Sequence, residues 1–352
     1  LFLAISLGFL VGVLVFAVST WVGPAFGIDP ALHADITAFL RAIAVGGPAL
    51  GISVACNGLA NGASRPRVTM VANLAAVVLL IPVAGALMYG RLGLPALGAF
   101  GSGLANTIVL WIQAVAMLTY VRFAPGFADL GWDRGRITPD FKVIGGLLRV
   151  GVPMSVSVLL EVGMFSTVGV MIGGLGTIAV ASHQIVLNVA AVSFMVPLGL
   201  SVAITVRVGN AVGRKDNAGV RRAGMVGLGL ALVTQFFSSG LMLLFPTTIL
   251  GFYSDNAAVI QGGLALLAIA AVFQISDGIQ VAASGALRGL KDTMVPMLVT
   301  AIAYWGAGMP LGWYLAFKLG FGAAGMWMGM VAGLSVAAVL LAGRFLHKSR
   351  RA

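Results

Sequence analysis

Apolar residues run in long blocks along this chain, and polar residues are confined to short intervals between them. Ten blocks can be marked, at 1–20, 38–59, 68–89, 96–121, 144–172, 178–206, 223–250, 259–287, 296–317 and 323–346. Each is about 20 residues or longer, the length that lets a helix rising 1.5 Å per residue cross a hydrocarbon core of roughly 30 Å. The pattern therefore predicts an all-α, polytopic membrane protein with ten transmembrane helices. Many blocks are rich in Gly, Ala and Ser, which allow backbones to approach closely in lipid. Several carry a proline, among them Pro48, Pro82, Pro153, Pro197 and Pro310, so kinked and tightly packed helices are expected.

The charges sort by side. Threading ten spans in alternation puts all but three of the 21 Lys and Arg residues on one face, the exceptions being Arg41, Arg91 and Lys318. The basic face is cytoplasmic by the positive-inside preference, which places the C-terminus in the cytoplasm of a cell bounded by a bacterial inner membrane. Arg41 is expected to snorkel outward.

Composition agrees with this picture. Of 352 residues 60% are hydrophobic and 9% charged, and the mean hydropathy is +1.05, which excludes a soluble domain. The formal charge of +11 is accounted for by topology; no basic run interleaved with aromatics points to a nucleic-acid partner. Cys56 stands alone in an apolar block and reads as a packing residue. His33, His183 and His347 are scattered, without the spacing of a zinc site. No cofactor is expected.

The longest polar connection, 124–143, contains Pro125, Gly126, Gly131 and Pro139, the composition of a solvated linker. It divides an N-terminal lobe, 1–123, from a C-terminal six-helix lobe, 144–346, which a basic tail at 347–352 follows. The two lobes carry a repeat. Gly58 and Gly62 precede Gly285 and Gly289 by 227 residues, Met70 precedes Met297 by the same interval, and Pro82 precedes Pro310 by 228. A near-constant offset predicts two pseudo-symmetric halves. The matching start of the first half would fall about 90 residues before Leu1, which leaves room for two further helices and an intact total of about twelve.

Two acids interrupt the apolar blocks of the second half, Glu161 and Asp277. Glu161 lies 12 residues beyond Arg149 and Asp277 lies 11 before Arg288. Each is therefore about 17 Å from the cytoplasmic surface, near the midplane. An intramembrane carboxylate faces the bundle interior or a water-filled cavity and is a functional candidate by default. Two at one depth can share a proton, or Na⁺ bound through oxygen. Ser157, Gln274 and Ser276 are neighbours able to add oxygens. Met154, Met164, Phe165, Phe194, Met195 and Phe273 are candidates to line a pliable cavity for flat aromatic or cationic ligands. His183 reads as an interior hydrogen-bonding histidine, with a proton-linked role as the alternative. No catalytic motif accompanies the acids, so an enzyme is not expected.

Several stretches resemble the multidrug and toxic compound extrusion family, in particular its NorM-type branch. They are Arg149-Val150-Gly151-Val152-Pro153-Met154-Ser155 with Glu161, Ala181-Ser182-His183-Gln184-Ile185, Met195-Val196-Pro197-Leu198-Gly199, and Gly285-Ala286-Leu287-Arg288-Gly289-Leu290-Lys291-Asp292-Thr293. In the first half the likeness is looser, with Leu80 where the family carries a polar Asn. The resemblance implies twelve helices in two six-helix lobes and exchange of a monovalent cation, Na⁺ or H⁺, for small organic-cation-like drugs. It also implies a monomer surrounded by membrane lipid, with the family's acidic cation-site positions at Glu161 and Asp277. A lipid-linked oligosaccharide flippase of related architecture is the nearest alternative, although it would favour a strongly basic cavity. A membrane-embedded enzyme or scaffold is the alternative from another class.

Overall fold

The computed structural model describes residues 1–25, 29–93 (backbone alone at Leu92), 95–124, 127 and 140–350. Most of the linker expected at 124–143 and the last two residues of the basic tail lie outside the described residues. Those that are described form helices and no strands. Among them, nine helices are long and apolar enough to cross a membrane, and a bent pair supplies a tenth span if counted as one. The chain divides into two compact units, Leu1–Ile144 and Gly145–Ala352.

The first unit contains α1 (Phe2–Ala25), α2 (His33–Ala44), α3 (Gly47–Gly62), α4 (Pro66–Tyr89) and α5 (Gly98–Phe123). The block at 38–59, expected as one helix, is broken: α2 and α3 meet at 47°. The cause is local, because Pro48 in the first turn of α3 cannot donate back to α2. Carbonyls freed at the bend are taken up by α5. Thr107 Oγ1 donates to Ala42 O at 2.7 Å and Trp111 Nε1 donates to Val45 O at 3.2 Å. Glycines set the approach of α1 to α3: a Cβ on Gly8 would lie 2.3 Å from Gly47 O, and one on Gly51 would lie 2.1 Å from Ala4 O. Cys56 is buried with Ile52, Met117 and Val121, as a packing residue. The Arg41 side chain lies over the Phe16 ring and donates from Nε to Ser19 Oγ at 3.3 Å.

The second unit contains α6 (Phe141–Gly173), α7 (Thr177–Gly213), α8 (Asn217–Leu244), the short α9 (Pro246–Gly251), α10 (Ala257–Gly289), α11 (Met294–Ala301), α12 (Met309–Trp313) and α13 (Gly322–Lys348). The central helix, α10, packs on α7, α8 and α13. The apolar block at 296–317 is not a plain α-helix: π-helical turns at Ile302–Gly308 and Tyr314–Lys318 flank α12. Pro310 sits at the start of α12 without an amide donor, and a wider π turn on its N-terminal side accommodates the missing bond. Helix α7 continues through Arg207 to Gly213, beyond the apolar block that ended at Val206, because a helix does not stop where hydropathy does.

At the cytoplasmic end expected from charge sorting, Asp292 follows Lys291, whose φ of 59° reverses the chain after α10. Its Oδ2 accepts from Arg344 Nε at 2.6 Å and lies 2.9 Å from Lys348 Nζ, both on the last turns of α13. Burial pushes the Asp292 carboxyl up, but the two cationic hydrogen-bond donors outweigh it and hold the group below the ordinary carboxylate range. A depressed acid stabilises the fold above the unfolded value near pH 4, and that contribution disappears as pH falls through the lower folded value. Asp292→Asn is therefore expected to cost about 1–3 kcal/mol at pH 7. Thermal unfolding should show the gap between wild type and variant closing only below about pH 4; a gap unchanged at pH 3 would exclude the ion pair as its source.

Candidate cation and substrate site

Helix periodicity builds the site. On α6 the side chains of Met154, Ser157, Glu161 and Phe165 fall on one face, spaced by three or four residues. α7 presents Ala190, Phe194 and Leu198 in the same way, and α10 presents Phe273, Asp277, Gln280, Ser284 and Arg288. These faces enclose two adjoining spaces.

The smaller, about 140 Å³, is bounded by Glu161 and Asp277 together with Phe165, Phe194, Phe273 and small residues of α7. The larger, about 410 Å³, is lined mostly by apolar side chains, with Glu161, Ser157, Gln280, Ser284, Arg288, Thr293 and Thr300 as its polar points. Glu161, Phe165 and Phe194 border both. One carboxylate therefore faces two chambers.

Asp277 is 3% exposed, and its Oδ1 has no hydrogen-bond partner. A buried, unpaired carboxylate oxygen is costly unless something compensates it. A second carboxylate on the same wall adds like-charge repulsion, and a cation between them relieves both. The smaller chamber has the volume of about four to five waters at roughly 30 Å³ each, enough for a cation and part of its hydration shell. The donor set is all oxygen and suits a hard monovalent ion or a proton.

The aromatic wall is fixed by ring contacts. Phe165 meets Phe273 edge to face at 5.9 Å, and Phe273 meets Trp327 at 5.6 Å. Trp327 Nε1 donates to His183 Nδ1 at 3.1 Å, so His183 is an interior hydrogen-bonded residue. Trp305 Nε1 donates to Leu160 O at 3.1 Å. Gly163 leaves room for that indole, since a Cβ there would already sit 3.3 Å from it.

Of the residues singled out from sequence, Glu161 and Asp277 come together, and Phe165, Phe194 and Phe273 surround them. Met154 and Ser157 line the larger cavity, Ser157 while donating to Pro153 O at 3.0 Å. Four others are placed elsewhere. Met164 is fully buried in the hydrophobic core with Val168 and Ile172. Met195 is 59% exposed, one residue and so about 100° round α7 from Phe194. Ser276 pairs with Ser335 on α13 at 2.8 Å. Gln274 accepts from Gln235 Nε2 at 3.0 Å and donates to Ala190 O at 2.9 Å, which ties α8, α10 and α7 together behind the chamber.

Several polar residues near the site were not singled out from sequence, among them Gln235, Gln280, Arg288 and Tyr304. Gln235 lies against Gly278, next to Asp277, where a Cβ would meet its Cγ at 2.4 Å. Gln280 and Arg288 line the larger cavity, Arg288 donating to Ser201 Oγ at 3.1 Å. Tyr304 is fully buried with its hydroxyl unpartnered. Gln235 and Gln280 carried a usable signal, an amide within an apolar block; Arg288 was absorbed into the count of cytoplasmic charges.

A family model described as MatE matches residues 1–85 and 153–314. The probable multidrug resistance protein NorM of Xanthomonas campestris pv. campestris is 42% identical over 350 residues, covering 99% of this chain and 76% of that protein. The multidrug resistance protein PmpM of Pseudomonas aeruginosa is 38% identical over 362 residues, 99% of this chain and 75% of that one. Among solved structures, a MATE in the bent conformation superposes with a TM-score of 0.89 at 16% identity, over 99% of this chain and 77% of that one. The eukaryotic MATE transporter AtDTX14 does so with a TM-score of 0.84 at 19% identity, over 99% and 79%. At such identities these two carry the fold alone. Multiple apolar spans and bacterial relatives describe a multi-pass bacterial membrane protein. With the family model matched over most of this chain and two such relatives aligned over 99% of it, the chain belongs to the multidrug and toxic compound extrusion family, whose members are transporters and not enzymes.

Proposed function

We propose that this protein is a multidrug efflux antiporter that exchanges Na⁺ or H⁺ for small cationic or aromatic drugs. In this reading Glu161 and Asp277 hold the driving ion, the larger apolar cavity receives the drug, and the protein works as a monomer in the bacterial inner membrane. The observation that carries it is that Glu161 borders both chambers. A cation held between Glu161 and Asp277 neutralises the carboxylate that an organic cation in the larger cavity would otherwise meet. The two ligands therefore oppose each other, and an antagonistic coupling of this kind is reciprocal by thermodynamic necessity. Alternating access then turns mutual exclusion into exchange.

The names of the relatives support drugs as the substrate class, and the apolar, aromatic lining supports flat or cationic molecules among them. The lobes are proposed at 1–123 and 144–346, joined by 124–143 and followed by the tail at 347–352.

Proteoliposomes carrying the full chain and loaded with a fluorescent organic cation test the exchange. An inward Na⁺ gradient or an inward proton gradient, imposed separately, is expected to accelerate efflux, and saturating the favoured ion at equilibrium is expected to weaken drug binding. Efflux indifferent to both gradients would remove the antiport reading.

A further inference from the structure

We propose that the α7–α8 hairpin carries a site for one anionic glycerophospholipid, with its phosphate held by Arg207, Arg214 and Arg222 and an acyl chain in the groove beside them. The groove encloses about 460 Å³ and is lined by those three arginines and by apolar residues that include Leu200, Val226 and Leu230.

The spacing makes the groove amphiphilic along its length. Arg207 on α7 and Arg214, which caps the C-terminal end of that helix, are seven residues apart and continue the face that carries Leu200. Arg222 is eight residues before Leu230 on the facing side of α8. Leu200 lies about 10 Å along the axis from Arg207. The groove is therefore apolar towards the middle of the spans and cationic next to the turn that joins them, which is the polarity of a phospholipid in the leaflet on that side. Its floor is fixed by close packing: a Cβ on Gly227 would lie 2.3 Å from Ile204.

The three guanidiniums are exposed, and no hydrogen bond or ion pair engages them among the described residues. Asp216 is the single acid between Arg207 and Arg222. Its Oδ1 is occupied in capping α8, accepting from the Gly219 amide at 2.8 Å. By contrast, the neighbouring pocket that holds Lys215, Arg344 and Lys348 already has Asp292 as counter-ion. Charge sorting asks only for basic residues in this connection; it does not ask that three of them share the walls of one apolar groove. Guanidinium forks match phosphate oxygens in geometry as well as charge, and basic pockets between helices at the cytoplasmic face suit anionic headgroups.

Native mass spectrometry of the full chain in detergent tests the site with phosphatidylglycerol, phosphatidylcholine and glycerol 1-phosphate as probes. One phosphatidylglycerol is expected to bind about tenfold more tightly than phosphatidylcholine, a difference of roughly 1.4 kcal/mol. Arg207→Gln/Arg222→Gln, which keeps Arg214, Lys215 and Arg221 for orientation, is expected to remove that preference. Ala203→Trp, which fills the groove from an exposed position without changing any charge, is expected to weaken phosphatidylglycerol by a similar factor. Equal binding of phosphatidylcholine, unchanged binding in either variant, or glycerol 1-phosphate binding as tightly as phosphatidylglycerol would overturn the proposal, the last in favour of a free-phosphate site.

Discussion

Glu161→Gln and Asp277→Asn are each expected to lower ion-driven efflux by at least about tenfold, the consequence of losing roughly 1.4 kcal/mol of coupling. Both replacements are nearly isosteric, so the helices and the chamber of about 140 Å³ between them should persist. They should differ in what survives. Asp277 borders only the smaller chamber, so Asp277→Asn is expected to bind drug with near-normal affinity while the competing ion loses its effect. Glu161 borders both chambers, and Glu161→Gln is expected to weaken an organic cation as well as the ion. The double variant should be little worse than the more damaged single one, because residues that share one ligand are strongly non-additive. Drug binding by fluorescence anisotropy, with and without the ion, separates these outcomes. Two variants with wild-type ion sensitivity would detach both acids from coupling.

The acids were legible in the sequence because a charge inside an apolar block is conspicuous at any rotation of the helix. Their partners were not. Met195 and Ser276 each stand one residue from a lining position, and hydropathy in an apolar span says nothing about which side of the helix faces a cavity. Phase is set by tertiary packing: Ser276 turns to Ser335 on α13, and Gln274 turns to Gln235 and Ala190 O. Span count was legible for the same reason the phase was not, since crossing a membrane is a property of whole segments. The departures from regular helix came at Pro48 and Pro310, which were visible as residues. Whether each would bend, break or widen its helix depended on neighbours able to satisfy the freed carbonyls, as Thr107 and Trp111 do on α5.

Gly329→Leu is expected to prevent the second unit from assembling, the largest stability effect anticipated in this chain. Gly325, Gly329 and Gly333 recur every four residues and so form one stripe on α13. Facing them are Ala316, Gly312 and Gly308 of the π-interrupted helix. A Cβ at Gly329 would lie 2.3 Å from Gly312 Cα and 2.5 Å from Gly308 O, and one at Gly325 would lie 2.5 Å from the Ala316 amide nitrogen. Those neighbours are backbone, with no rotamer to give way. In lipid there is no hydrophobic drive to hold parted helices together, and close backbone packing is the main source of their association. Overpacking a tight core costs typically about 1–3 kcal/mol where side chains can adjust; here they cannot, and the loss should be at or above the top of that range. Displacing α13 would also carry away Trp327, which supports Phe273 and through it the chamber wall beside Asp277. Gly343, also on α13, would have nothing within 4 Å of an added Cβ, so Gly343→Ala serves as the control and is expected to be near neutral. Size-exclusion profiles and thermal unfolding of the detergent-solubilised chain compare the two. A monodisperse Gly329→Leu protein with the unfolding midpoint of Gly343→Ala would show that the glycine stripe does not hold α13 in place.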